Sequence, residues 1–134
     1  MDFLLDTDTC IYLIKRKPPQ VITRLRELPL STVGISSITL SELEYGVMKS
    51  SRSEQNKLAL IQFAAPLEIL PYDDHAAREY GNIRSFLEKQ GTPIGSLDTL
   101  IAAHALALDC TLVTNNHTEF TRVPGLRTAN WVNN

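Results

Sequence analysis

Short unbroken apolar runs alternate along this chain with longer stretches in which apolar residues return every three or four positions. Phe3 to Leu5, Val33 to Ile38, Leu67 to Leu70 and Thr111 to Thr114 have the length and content of buried strands. Between them the spacing is helical. It predicts helices over Thr9 to Lys15, Val21 to Leu28, Thr39 to Lys49, Glu54 to Ala64, Asp73 to Gln90 and Ser96 to Leu108. Pro18-Pro19 separates the first two, and Gly91 stops the fifth. Val21, Ile22, Leu25 and Leu28 share one face of the second, Leu58, Ile61 and Ala65 form a stripe on the fourth, and Ala76, Tyr80, Ile83 and Leu87 recur on the fifth. The sixth is apolar nearly all round and belongs in the centre of the fold. The tail from Phe120 to Trp131 has room for one short strand. Strands alternating with helices predict an α/β fold, a central mostly parallel sheet flanked by helices.

A length of 134 residues suits one domain, residues 1–134. The start lacks the basic flank of a signal peptide, and the longest apolar stretch is too short to span a bilayer. A cytoplasmic location without a membrane partner is expected. Cys10 and Cys110 are too few for a disulfide framework and have no zinc-ligand spacing around them. The net charge of −2 does not mark a nucleic-acid binder, yet a carboxylate cluster that binds a cation would lower such a count. Small basic groups remain at Lys15-Arg16-Lys17, Lys49 with Arg52, Arg78 with Arg84 and Arg122 with Arg127. They permit phosphate contacts without requiring them.

Three acids stand out by position. Asp6 closes the first strand, Glu42 follows the second, and Asp98 opens the most buried helix. In an open parallel sheet, strand C-terminal ends and helix N-terminal ends lie along one edge. Carboxylates crowded there repel one another unless protonated or bridged by a cation, and oxygen-only ligands suit Mg²⁺ or Mn²⁺. Each acid also has a plain structural reading. Asp6 can cap the next helix, Thr39-x-x-Glu42 forms a capping box, and Asp98 complements a helix dipole. Asp8 serves equally as an N-cap or beside a metal. Asn115, Asn116 and Glu119 follow the fourth strand at the same edge, as a turn or as further ligands. Asp73 and Asp74 start the long helix, and His75, His104 and His117 share no ligand spacing and read as structural or exposed.

The segments Leu4-Leu5-Asp6-Thr7-Asp8-Thr9, Ser41-Glu42-Leu43-Glu44-Tyr45-Gly46 and Ile94 to Ala105 resemble the three motifs of PIN-domain ribonucleases. The end of the chain, Leu112-Val113-Thr114-Asn115-Asn116 through Glu119-Phe120, Arg122 to Leu126 and Trp131, is similar to the VapC toxins of bacterial toxin–antitoxin pairs. The resemblance covers nearly the whole chain and implies a PIN-like fold. It also implies an endoribonuclease dependent on Mg²⁺, with Mn²⁺ able to substitute, that cuts structured RNA such as a tRNA anticodon loop. By it, Asp6, Glu42 and Asp98 match the catalytic acids and metal ligands. A VapB-like antitoxin, a homodimer within a larger assembly, and operator DNA bound through the antitoxin are the partners it implies. Two departures stand in this sequence. Asp8 occupies a position that is commonly Asn, and Asn116 stands where a fourth acid is often found, so either Asn116 or Glu119 completes the site.

Two other functions fit parts of the pattern. Asp6-Thr7-Asp8-Thr9 after an apolar strand also matches the start of haloacid-dehalogenase-type phosphatases, with Asp6 as nucleophile and Asp8 as general acid. A non-catalytic RNA- or protein-binding domain of the same fold is the second. The intact acidic trio argues against it.

Overall fold

The computed structural model describes residues 1–133. Five strands, β1 (Phe3–Leu5), β2 (Val33–Ser36), β3 (Glu68–Leu70), β4 (Thr111–Val113) and β5 (Thr128–Ala129), form one sheet in the order β3-β2-β1-β4-β5. Every pairing is parallel. Seven helices connect and flank them: α1 (Thr7–Lys15), α2 (Pro19–Arg26), α3 (Ser37–Lys49), α4 (Ser53–Ala64), α5 (Asp74–Lys89), α6 (Ser96–Leu108) and α7 (His117–Phe120). From β1 the chain winds outward through β2 to β3, then returns to place β4 on the other side of β1. The order of strands therefore reverses between β1 and β4, where an open α/β sheet leaves a crevice beyond its strand C-terminal ends.

The alternation of side chains along the strands divides the core in two. Leu4 and Leu112, paired in register, pack with Ile83, Leu87 and Ile101 beneath α5 and α6. Leu5 and Val113, the next pair, join Val33 and Ile35 against Leu13, Val21, Leu43 and Leu60 of α1 to α4. Gly34 lies where the sheet has no room for a side chain. A Cβ there would stand 2.8 Å from the Glu68 carbonyl oxygen.

Three local expectations are corrected. α1 begins at Thr7, not Thr9, because Asp6 accepts the Thr7 N–H and caps it. β2 ends at Ser36, whose hydroxyl caps α3, so Thr39 lies buried inside the helix and forms no capping box with Glu42. The stripe Leu58 and Ile61 of α4 faces outward, more than half exposed, while Leu60 enters the core. Two interleaved apolar rows run along that helix, and packing selected the one containing Leu60. The remaining helix, α7, is a single turn that carries Glu119.

Candidate active site

Asp6 stands at the C-terminal end of β1 beside the reversal point, 6% exposed. Burial of a carboxylate on this scale needs partners. The Thr7 N–H donates to its Oδ1 at 2.9 Å, and the Thr114 hydroxyl, just past β4, donates to its Oδ2 at 2.8 Å. These bonds favour the charge without restoring an ordinary acidity. Burial pushes the Asp6 carboxyl up to about 6, and the charges of Asp8 and Glu42 push in the same direction.

Glu42 reaches the same place from α3. The Thr7 hydroxyl donates to its Oε1 at 2.8 Å, so Thr7 alone holds two different carboxylates, one by its N–H and one by its hydroxyl. Asp98 arrives from the first turn of α6. Burial raises its carboxyl to about 7, helped by a hydrogen bond shared with Glu119 and by the charges of Asp6, Glu119 and Glu42. Glu119, on α7, is displaced the other way, first by that bond with Asp98. The two neighbouring carboxyls are thus pushed apart, Asp98 above the ordinary carboxylate range and Glu119 below it. The Asn116 amide donates to Glu119 Oε2 at 3.4 Å, a long contact that touches the cluster through Glu119.

The remaining polar residues have other tasks. Asp8 turns to the backbone, taking the Thr9 N–H at 2.6 Å and the Asn115 N–H at 3.1 Å. It thereby ties α1 to the loop that carries Asn116 and Glu119. The Asn130 side-chain amide donates to Asn115 Oδ1 at 2.8 Å. Asp73 caps α5 through the Ala76 N–H, and Asp74 pairs with Arg78. Arg84 pairs with Glu88 and Arg127 with Asp109, so both are engaged locally on the surface. Cys10 and Cys110 are buried free thiols. Thr114 is the site residue that sequence reading passed over. Its signal was available: a polar residue ending a buried strand next to the strand that carries Asp6.

Among the described residues, no three His, Cys, Asp or Glu side chains are already drawn together as a metal-ligating set. The carboxylates of Asp6 and Glu42 rest on protein donors. As oxygen-only groups, two of them raised by burial and like charge, the acids could hold a hard cation, which would relieve that penalty.

Comparison with known proteins gives the arrangement a context. The model of the PIN domain matches residues 3–126. The tRNA(fMet)-specific endonuclease VapC of Salmonella typhimurium is 46% identical over 131 residues, 98% of each chain. Ribonuclease VapC2 of Rickettsia felis is 45% identical over 132 residues, again 98% of each. The crystal structure of VapBC2 from Rickettsia felis, bound to a DNA fragment from its promoter, contains a chain that superposes with a TM-score of 0.93 at 44% identity. The match covers 98% of this chain and 99% of that one.

Proposed function

This chain belongs to the PIN domain family and, within it, to the VapC ribonucleases, and from that premise we propose that Asp6, Glu42, Asp98 and Glu119 form the centre of an endoribonuclease toxin. The observation that carries this reading is the meeting of acids from β1, α3, α6 and α7 at the sheet's reversal point. The substrate is structured RNA. The tRNA(fMet) named for the Salmonella relative makes tRNA, cut in the anticodon loop, the favoured target, with loss of translation as the result.

Asp6, Glu42 and Asp98 would hold Mg²⁺ or Mn²⁺, with Glu119 adding charge, once their side chains turn from their present donors toward a common ion. Bound there, the cation would supply an activated water and neutralise charge on the phosphate. The chain's own contribution is placement. Thr7 and Thr114 fix the carboxylates of Asp6 and Glu42, and burial beside Glu119 holds Asp98 above the ordinary carboxylate range, a penalty that a cation would relieve. Asn116 steadies Glu119.

The VapBC complexes point to a VapB-type antitoxin as partner, with operator DNA bound through that complex. A homodimer inside the assembly and a cytoplasmic location complete the reading. No helix among the described residues is long and apolar enough to cross a membrane. The phosphatase alternative is not favoured, because Asp8, its required general acid, has both oxygens committed to backbone N–H groups. The test is end mapping of cellular RNA after a brief pulse of expression. One dominant cut in a tRNA loop, with 5′-phosphate and 3′-hydroxyl ends, is expected. Unchanged RNA ends at a toxic dose would refute the reading.

A further inference from the structure

His104 lies in the interior, 1% exposed, on the same helix as Asp98. An imidazole so placed needs partners for both ring nitrogens. Its Nδ1 is 2.8 Å from the hydroxyl of Ser36, itself fully buried. Ser36 ends β2 and caps α3 by accepting the Ile38 N–H at 3.0 Å. The Pro71 carbonyl, just past β3, lies beside the ring. Nδ1 accepts from or donates to the Ser36 hydroxyl according to the tautomer, and the bond stands in both. Tyr72 packs edge-on against the ring at 5.3 Å between centroids, and its N–H donates to the Ser37 hydroxyl at 3.1 Å.

One side chain thus joins α6, the β2–α3 corner and the exit of β3. Packing alone does not call for this, since a leucine would occupy much of the space with no buried polar group to satisfy. What the imidazole adds is direction. The β2–α3 corner sets the start of the helix that carries Glu42, and α6 carries Asp98 in its first turn.

We propose that His104 is a positioning residue, a buried clamp that fixes the Asp98-bearing helix against the Glu42-bearing helix through its bond to Ser36. The inference rests on the reading of Asp98 and Glu42 as parts of one metal-binding centre. Groups that orient ligands from behind commonly govern metal affinity by about 10–100-fold.

The test is Mn²⁺ affinity, read by electron paramagnetic resonance, on His104→Asn, His104→Gln, His104→Leu and Asp98→Asn. Single-turnover cleavage and melting temperature are measured alongside. Asparagine places its amide near the position of Nδ1 and keeps the Ser36 bond. Glutamine carries its amide beyond that position, and leucine has no polar atom to make the bond. His104→Asn is expected within about threefold of wild type, whereas the Gln and Leu variants lose about tenfold in Mn²⁺ affinity and in kcat. KM for RNA stays unchanged, because the clamp governs the acids and not the RNA-binding surface. Wild-type affinity and kcat in the Gln and Leu variants, with only the melting temperature lowered, would reduce His104 to a packing residue. Should the Leu variant not fold, the Asn and Gln variants decide, and equal affinities overturn the clamp. An impaired Asp98→Asn beside normal His104 variants defeats the clamp alone. An Asp98→Asn that binds Mn²⁺ like wild type defeats both the clamp and the site reading beneath it.

Discussion

Thr114 donates its buried hydroxyl to Asp6 at 2.8 Å, joining residues 108 positions apart at the adjacent ends of β4 and β1. The same hydroxyl oxygen accepts the Asn116 N–H at 2.9 Å. One threonine therefore orients the most buried carboxylate of the cluster and sets the start of the loop that delivers Glu119. The acids do not simply share an edge. They are linked through the backbone and hydroxyls of the two central strands, and disturbing one moves the others.

Asp6 is held at a cost, and Asp6→Asn should show it. Its folded carboxyl, raised to about 6 from an ordinary 3.8, contributes stability that is full below about 4 and lost as pH rises through about 6. Asparagine keeps the cap on Thr7 and carries no charge to bury. The variant should match wild type near pH 4 and exceed it at pH 8 by about 1–3 kcal/mol. Urea unfolding at the two pH values checks this. A variant weaker than wild type at pH 8 would show that Asp6 is a structural cap first.

Asn116 and Glu119 divide unequally. Glu119 lies directly against Asp98 and each shifts the acidity of the other, whereas Asn116 touches the cluster only through a 3.4 Å contact with Glu119. Glu119→Gln should weaken Mn²⁺ binding by about tenfold, with the lost turnover partly recovered in excess Mn²⁺. Asn116→Ala should cost about threefold or less, since it removes one weak neutral bond. Calorimetric Mn²⁺ titrations of both variants decide, and a reversed order would assign the fourth place to Asn116.

The sequence made the frame of this site readable because its signals are local. A buried apolar triplet ending in Asp6, and an apolar helix opening at Asp98, each place an acid at a known end of a known element. Glu42 was expected at this edge because it follows β2, and the structural reading that competed for it fails. The apparent Thr39–Glu42 capping box does not form, because Ser36 starts the helix one turn earlier. The outward face of Leu58 and Ile61 was equally beyond local reading, since both apolar rows of α4 have helical spacing and only contact with the other helices chooses between them. Thr114 and His104 matter through partners far away in the chain, which no spacing rule reaches.

Gly34→Ala should destabilise the fold by about 1–3 kcal/mol, because the new methyl would press on the Glu68 carbonyl, backbone that cannot move without shifting β3. Leu70 and Met1 side-chain carbons stand 3.1 Å from the same point and close off the alternatives. Thermal unfolding checks it. An unchanged melting temperature would mean that β2 and β3 are not paired in this register.

The proposed function requires that the acids at the sheet's reversal point act as a cation-dependent ribonuclease centre. Its most direct test is single-turnover cleavage of tRNA by purified protein, first chelated with EDTA and then titrated with Mg²⁺ or Mn²⁺, beside folded Asp98→Asn. Chelated wild type should be inactive and recover with either cation. Ca²⁺, which prefers looser and higher-coordinate sites, should support the reaction poorly. Asp98→Asn should remain at least about 100-fold slower at every concentration. Undiminished cleavage after chelation, or wild-type cleavage by folded Asp98→Asn, would contradict the account.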